Sequence, residues 1–331
     1  MNPPSQPPPP PPESEPEPEP CTRNWLELPK DVTISILQRL GAVEIMESVQ
    51  LVCTTWRSVC KDPSMWRSID MSNRGEPYSM PHDLEIMCRN AVDRSSGHLL
   101  HIIIQHFGTD ELLHYIAERA SNLKSLKLGL CYEISPEGLS NAIKKMPLLE
   151  ELELSYCCNS VTSESLETIG RSCPLLQSLK WNDQAALGGD SECDGEAMAI
   201  GKTMPGLRHL QLVGNFLTNN GLQAILDGCP HLESLDLRQC SYVKLDGSLG
   251  KRCAERVKVL KKPDDSTADY PYDAQLICFD ALDGLSDYGY DGCDDDFDGY
   301  DGFDGYDSDL NYTGKFSASG SDDDDERFFF Y

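Results

Sequence analysis

Apolar positions between residues 97 and 254 follow one template: an apolar residue, two spacers, a second apolar residue, one spacer, a third. Five segments carry it: NLKSLKLGLC from Asn122, PLLEELELSYC from Pro147, PLLQSLKWNDQ from Pro174, PGLRHLQLVGN from Pro205 and PHLESLDLRQC from Pro230. The anchors are Leu123/Leu126/Leu128, Leu149/Leu152/Leu154, Leu176/Leu179/Trp181, Leu207/Leu210/Leu212 and Leu232/Leu235/Leu237, with first anchors spaced 26, 27, 31 and 25 residues apart. A degenerate sixth copy falls on Leu100 and Ile102 in HLLHIIIQHF. An alternating LxL predicts a short strand with one buried face. The segments between, such as EGLSNAIKKM with Leu139, Ala142, Ile143 and Met146, have helical spacing. Most end in Cys or Met followed by Pro, which cannot donate the next helical hydrogen bond. One strand and one helix per repeat, stacked, predict an α/β solenoid.

Three residues past the last anchor stand Cys131, Cys157, Asn215 and Cys240, where a small or polar group suits a chain turning inward; Gln184 breaks the rule. The longest step inserts NDQAALGGDSECDG, predicted to bulge as a loop. The recurrence resembles the cysteine-containing class of leucine-rich repeats. Every second strand residue would then face the concave surface, the usual binding surface of such a solenoid. Those are Ser125, Lys127, Glu151, Glu153, Ser178, Lys180, His209, Gln211, Ser234 and Asp236, with Arg238 beyond. From these, Lys127, Glu151, Glu153, Lys180, His209, Gln211, Asp236 and Arg238 are the candidate substrate-binding residues. Their signs are mixed, and their composition names no ligand.

Ahead of the repeats, residues 25–69 read WLELPKDVTISILQRLGAVEIMESVQLVCTTWRSVCKDPSMWRSI. Val32, Ile36, Leu37 and Leu40 predict a first helix ended by Gly41. A second helix is predicted from about Val43 to Val52. A third carries Cys53, Trp56, Val59 and Cys60 and stops near Asp62-Pro63. Three short helices hold more apolar positions than one small core can hide. The remainder predicts an interface.

Charge separates the ends from this middle. The chain of 331 residues carries a formal net charge of −27, yet −19 of it lies in 264–331 and −4 in 1–20. The near-neutral remainder offers no basic stripe for nucleic acid. No stretch reaches the roughly 18 apolar residues of a membrane span, and MNPPSQPPPP lacks the features of a secretory signal. The fourteen cysteines occur without a CxxC, so the expectation is an intracellular chain with reduced thiols serving as small apolar groups. Residues 3–20 favour an extended polyproline conformation. In the tail, Asp294, Asp296, Asp298 and Gly299 match half of a calcium-binding loop, but Gly305 stands where a bidentate Glu is required. The tail is read as a flexible acidic segment. No metal or cofactor is expected. Cys53 has no ligand-spaced Cys or His, which favours docking or packing over redox or metal chemistry. No phosphate loop, GxSxG or HExxH supports an enzyme.

The pattern LPxDVxxxILxRL…VxLVCxxWRxVxxDPxxWRxI resembles an F-box. With the repeats it resembles F-box/leucine-rich-repeat proteins, in particular short plant members of the Skp-interacting type. One departure is GAVEI at 41–45, where many F-boxes have a Pro and an acidic residue. The resemblance implies a non-enzymatic substrate receptor of a Skp-Cullin-F-box ubiquitin ligase. Its F-box would dock on a Skp-type adaptor and through it a cullin, and its repeats would bind a protein substrate. By position, the adaptor-facing residues would be Leu28, Pro29, Val32, Ile36, Leu37, Leu40, Ile45, Val52, Cys53 and Trp56; Trp25 and Trp66 would pack internally. The alternative is a repeat scaffold whose F-box acts outside ubiquitination. The predicted partition is a leader at 1–22, an F-box at 23–70, a helical connector at 71–96, about six repeats at 97–262 and an acidic tail at 263–331. Residues 251–262, KRCAERVKVLKK, fit the last helix and strand better than an import signal, and the expected compartment is nucleus, cytoplasm or both.

Overall fold

The structure, a computed structural model, describes residues 27–72, 84–157, 160–183 and 193–270. The leader, Trp25, Gln184, most of the inserted loop and the calcium-like tail stretch lie outside them.

The N-terminal part is helical: α1 (Lys30–Leu37), α2 (Ala42–Glu44), a π turn (Ile45–Val49), α3 (Gln50–Val52), α4 (Thr54–Cys60) and a 3-10 turn (Pro63–Trp66). Strands and helices then alternate: β1 (Ser68–Met71), α5 (Leu84–Arg94), β2 (His101–Gln105), α6 (Asp110–Arg119), β3 (Ser125–Gly129), α7 (Pro136–Ile143), β4 (Glu151–Ser155), α8 (Ser163–Ser172), β5 (Ser178–Asn182), α9 (Gly195–Thr203), β6 (His209–Gln211), α10 (Asn219–Gly228), β7 (Ser234–Asp236), α11 (Gly247–Arg256) and β8 (Val259–Lys261). The strands form one parallel sheet in chain order. Its register stacks equivalent positions: Leu126 lies beside Leu152, Leu152 beside Leu179, Leu210 beside Leu235. The LxL leucines and the helix residues Leu139, Ile143, Leu166, Ile169, Leu222 and Ile225 fill one core; the anchor Trp181 is only half-buried.

The sheet starts earlier than the repeat pattern. Ser68–Met71, at the end of the F-box segment, pairs with β2 from Ser68↔His101 to Met71↔Ile104. Ile69 and Met71 are buried while Ser68 and Asp70 face out. An unpaired β2 would present an open row of backbone groups; the preceding segment supplies the strand that covers it. At the other end, 251–262 form the end of α11 and β8.

Side chains stitch one repeat to the next. The thiol of Cys240 donates to Leu212 O at 2.8 Å, Cys157 reaches Leu128 O at 3.7 Å, and Asn215 Nδ2 donates to Trp181 O at 2.7 Å. Helix-end thiols repeat the device, Cys229 to Met204 O at 3.4 Å and Cys173 to Met146 O at 3.6 Å. At the helix ends the same carbonyls also accept a backbone N–H, from Leu149 to Met146 O and from Leu207 to Met204 O, so the thiol takes the second lone pair of the oxygen. Burial pushes Cys240, Cys173 and Cys88 up to about 12 and Cys229 up to about 11, as an apolar surrounding does to a thiol. The residue before each turn thiol or amide adopts positive φ: Leu130, Tyr156, Gly214 and Gln239. Only at Gly214 is that conformation free of Cβ strain.

Candidate functional sites

The first site is the outer surface of the helical segment. α1 buries Thr33 and Leu37. Val32 and Ile36, four residues apart and so on one helix face, remain 40% and 37% exposed. Leu51 and Val52, at the end of α3, are both 61% exposed. α4 packs against both α1 and α3, and its Trp56 is half-buried, as are Leu28, Leu40 and Cys53; Pro29 is exposed. These apolar side chains are what a partner could cover.

Two of the expected adaptor-facing residues belong inside. Leu37 is 1% and Ile45 4% exposed. The stripe of α1 that meets the core is one position off the outward one, and apolar residues occupy both. Ile45 opens the π turn, whose Met46 and Val49 it joins in the core. Leu51 was not anticipated. The cause is a break after Val52 that the sequence does not show: Cys53 is extended (φ −160°, ψ 169°) rather than helical, and its sulfur caps α4 by accepting from Trp56 N at 3.4 Å. That break ends the helix and leaves both preceding apolar side chains outward. Gly41 likewise sits one residue ahead of α2 rather than ending α1, which closes at Gln38.

The base of this surface is braced. Lys30 pairs with Asp62, which caps the 3-10 turn through Ser64 N at 2.9 Å. The Lys30 hydrogen bond holds the Asp62 carboxyl well below the usual carboxylate range. Trp66 is 1% exposed and donates Nε1–H to Cys60 O at 2.8 Å. Arg94 of α5 lies 5.3 Å from the Trp66 ring and donates to Gln50 Oε1 at 3.3 Å.

The second site is the concave sheet face. Its charges pair across strands: Lys180 with Glu153 at 3.0 Å, Lys127 with Glu151 at 4.0 Å, Lys261 with Asp236 at 3.8 Å. Gln211 Nε2 donates to Asn182 Oδ1 at 3.0 Å, and Asn182 Nδ2 to Ser155 Oγ at 2.8 Å. A shallow pocket of about 190 Å³ opens between Lys180, His209, Gln211, Val259 and Lys261. His209 and Glu151 are exposed; Lys127, Glu153, Lys180 and Gln211 are half-buried. Asp236 and Arg238 are not open: Arg238 is 2% and Asp236 7% exposed. The segment after β8 lies against them, with Arg238 donating to Ser266 O at 3.0 Å and pairing with Asp269. Among the described residues no group of three or more His, Cys, Asp or Glu could hold a metal ion, and no helix is long and apolar enough to cross a membrane.

The F-box-like family model matches residues 25–72, the stretch that builds the first site and β1. F-box protein SKIP19 of Arabidopsis thaliana is 52% identical over 277 residues, covering 81% of this chain and 89% of that one. "Putative F-box/LRR-repeat protein 21" of the same plant is 48% identical, over 76% of this chain and 85% of that one. "Putative F-box/LRR-repeat protein 23" is 57% identical over 74% of this chain, which spans about half (54%) of that protein's length. A helical F-box whose last residues open a parallel leucine-rich-repeat sheet, and relatives that match it along most of their length, place the chain together: it belongs to the F-box/leucine-rich-repeat proteins.

Proposed function

We propose that this chain is the non-catalytic substrate-recognition subunit of a Skp-Cullin-F-box ubiquitin ligase. The observation that carries the reading is the exposure of four apolar side chains of the F-box, Val32 and Ile36 on α1 and Leu51 and Val52 on α3, surface whose burial a protein partner would reward. In this reading the partner is a Skp-type adaptor, Trp56 is an interfacial anchor, and Leu28, Pro29, Leu40 and Cys53 border it. The polar concave face takes the protein substrate through Lys127, Glu151, Glu153, Lys180, His209 and Gln211. The compartment is nucleus, cytoplasm or both.

A pull-down tests this. Purified Skp-type adaptor, with and without cullin, is offered to the full chain, to Leu28→Ala/Pro29→Ala and to Val52→Asp. Retention of adaptor and cullin by the native chain, lost in variants whose circular dichroism is unchanged, is the expected result. Adaptor retained without cullin would favour a scaffold acting outside ubiquitination. No adaptor retained would overturn the reading. Deleting 264–331 should leave adaptor retention intact.

A further inference from the structure

The far end of the concave face holds a guanidinium that the fold has oriented in advance. Arg238 is almost wholly buried, and Asp236 on the same strand end fixes it, accepting from Nε at 2.9 Å and from Nη2 at 2.7 Å. A guanidinium has five N–H donors in a rigid fork. Asp236 takes one edge, which leaves Nη1 directed outward. Lys261 stands beside it, 3.8 Å from Asp236. At the same rim, on the turn after β4, Tyr156 is buried to 1% and held at φ 57°. The corresponding turn after β6 uses Gly214. The turns after β3 and β7 hold Leu130 and Gln239 in the same conformation, so the backbone strain is shared and the aromatic ring is what this turn adds.

One short piece of chain satisfies all three groups at once. Asp269 pairs with Arg238 through one oxygen and accepts from Lys261 Nζ at 2.7 Å through the other. The next residue, Tyr270, meets Tyr156 edge-on with ring centroids 6.3 Å apart, and the Arg238 guanidinium lies 5.8 Å from its ring. Ser266 O takes the Nη1 donor, and Tyr270 N closes a turn onto Thr267 O at 2.8 Å. These contacts span strands β4 to β8, using residues remote in sequence to read two adjacent ones.

We infer that this rim, formed by Arg238, Lys261 and Tyr156, is a recognition site for a short acidic–aromatic peptide step, aspartate followed by tyrosine, and that Asp269-Tyr270 is its occupant in cis. The inference rests on the concave face being a receptor surface and names the class of segment it accepts. Specificity follows from the parts: a carboxylate between two cations, and an aromatic ring on an aromatic ring and beside a guanidinium. The chain repeats the chemistry downstream at Asp287-Tyr288 and, reversed, at Tyr272-Asp273, Tyr290-Asp291, Tyr300-Asp301 and Tyr306-Asp307. A tethered copy acts at high effective concentration. A partner protein bearing an exposed Asp-Tyr step therefore binds by displacing the resident one.

The test needs no adaptor, so its failure is distinct from failure of the ligase reading. A fluorescent peptide of residues 264–273, DDSTADYPYD, is titrated by anisotropy into the native full chain and into the full-length Asp269→Asn/Tyr270→Ala variant. Both substituted side chains lie in the segment after the last strand, outside the core. The variant should bind the peptide at least threefold more tightly than the native chain. A peptide carrying Asn and Ala in place of its Asp-Tyr pair, and Ala and Asn in place of the Tyr-Asp that follows, should bind the variant at least tenfold more weakly, a comparison that leaves the protein unchanged. Affinity should fall as salt rises. Equal binding of the two peptides, no binding of either to the variant, or equal affinity of native and variant chains would each overturn the inference.

Discussion

Replacing Leu51 and Val52 together by alanine separates a docking face from a core. The two side chains are 61% exposed, so their removal costs the folded chain little. Leu51→Ala deletes three carbons and Val52→Ala two. At about 0.8 kcal/mol per buried carbon, scaled by the fraction still exposed, complete covering by a partner makes these five carbons worth about 2.4 kcal/mol. The double variant should therefore bind a Skp-type adaptor about 50-fold more weakly, by the factor of ten per roughly 1.4 kcal/mol. Leu37→Ala is the counter-experiment. Leu37 is 1% exposed, so its truncation should cost about 2–5 kcal/mol of stability while leaving affinity nearly unchanged at temperatures where the chain is folded. Titration calorimetry with purified adaptor, alongside circular dichroism melts, reads both. A folded Leu51→Ala/Val52→Ala chain within twofold of native affinity would refute the assignment, as would a folded Leu37→Ala chain that loses affinity to the same degree.

Three further outcomes follow from the solenoid. A Cβ on Gly228 would sit 1.7 Å from the Gly201 carbonyl oxygen, forcing α10 away from α9, so Gly228→Ala should destabilise by about 1–3 kcal/mol and lower Tm by about 3–10 °C; an unchanged melt would contradict that contact. Gln239 is exposed and held at φ 62°; relief of about 1–2 kcal/mol of left-handed strain, less about 0.5–1 kcal/mol for glycine's extra freedom in the unfolded chain, makes Gln239→Gly modestly stabilising, and a lower Tm would contradict it. Native-state alkylation at pH 8, mapped by mass spectrometry, should modify exposed Cys193 well before Cys88, Cys173, Cys229 and Cys240, whose thiols burial pushes up to about 11–12; equal rates would show that the thiol ladders open freely.

The repeat was legible because it is a translation. Register repeats Leu126 as Leu152 and Leu179 as surely as sequence spacing does, so the period alone locates strands, helices and the inward-turning cysteines. What stayed hidden has no period. SIDM at 68–71 is too short to register as a copy of the triplet, yet it pairs because β2 needs a neighbour. On α1, apolar residues lie on two adjoining stripes; spacing shows that a face exists but not which of Ile36 and Leu37 meets the core. Cys53 reads as helical among helix-compatible neighbours, and only the backbone shows it to be a cap. Arg238 sits where concave residues belong, and its closure depends on a chain segment 28–31 residues later.

The shared strand also fixes how the two sites relate. Trp66, Ile69 and Met71 at the end of the F-box enter the same continuous core as Ile102 and Ile104 of the first full repeat, and β1 joins β2 through four registered pairs. From the repeat side, α5 packs on β1 and the 3-10 turn, and its Arg94 reaches back to both Trp66 and Gln50. A linker between two domains would let a bound substrate wander relative to the adaptor. Here a swivel would have to break a strand pairing and open a close-packed interior, which cores resist because they rearrange in discrete steps rather than bend. In the proposed assembly, the position of a protein held on the concave face is therefore set by the solenoid itself, and a substrate is selected by where its binding segment sits as much as by what that segment is.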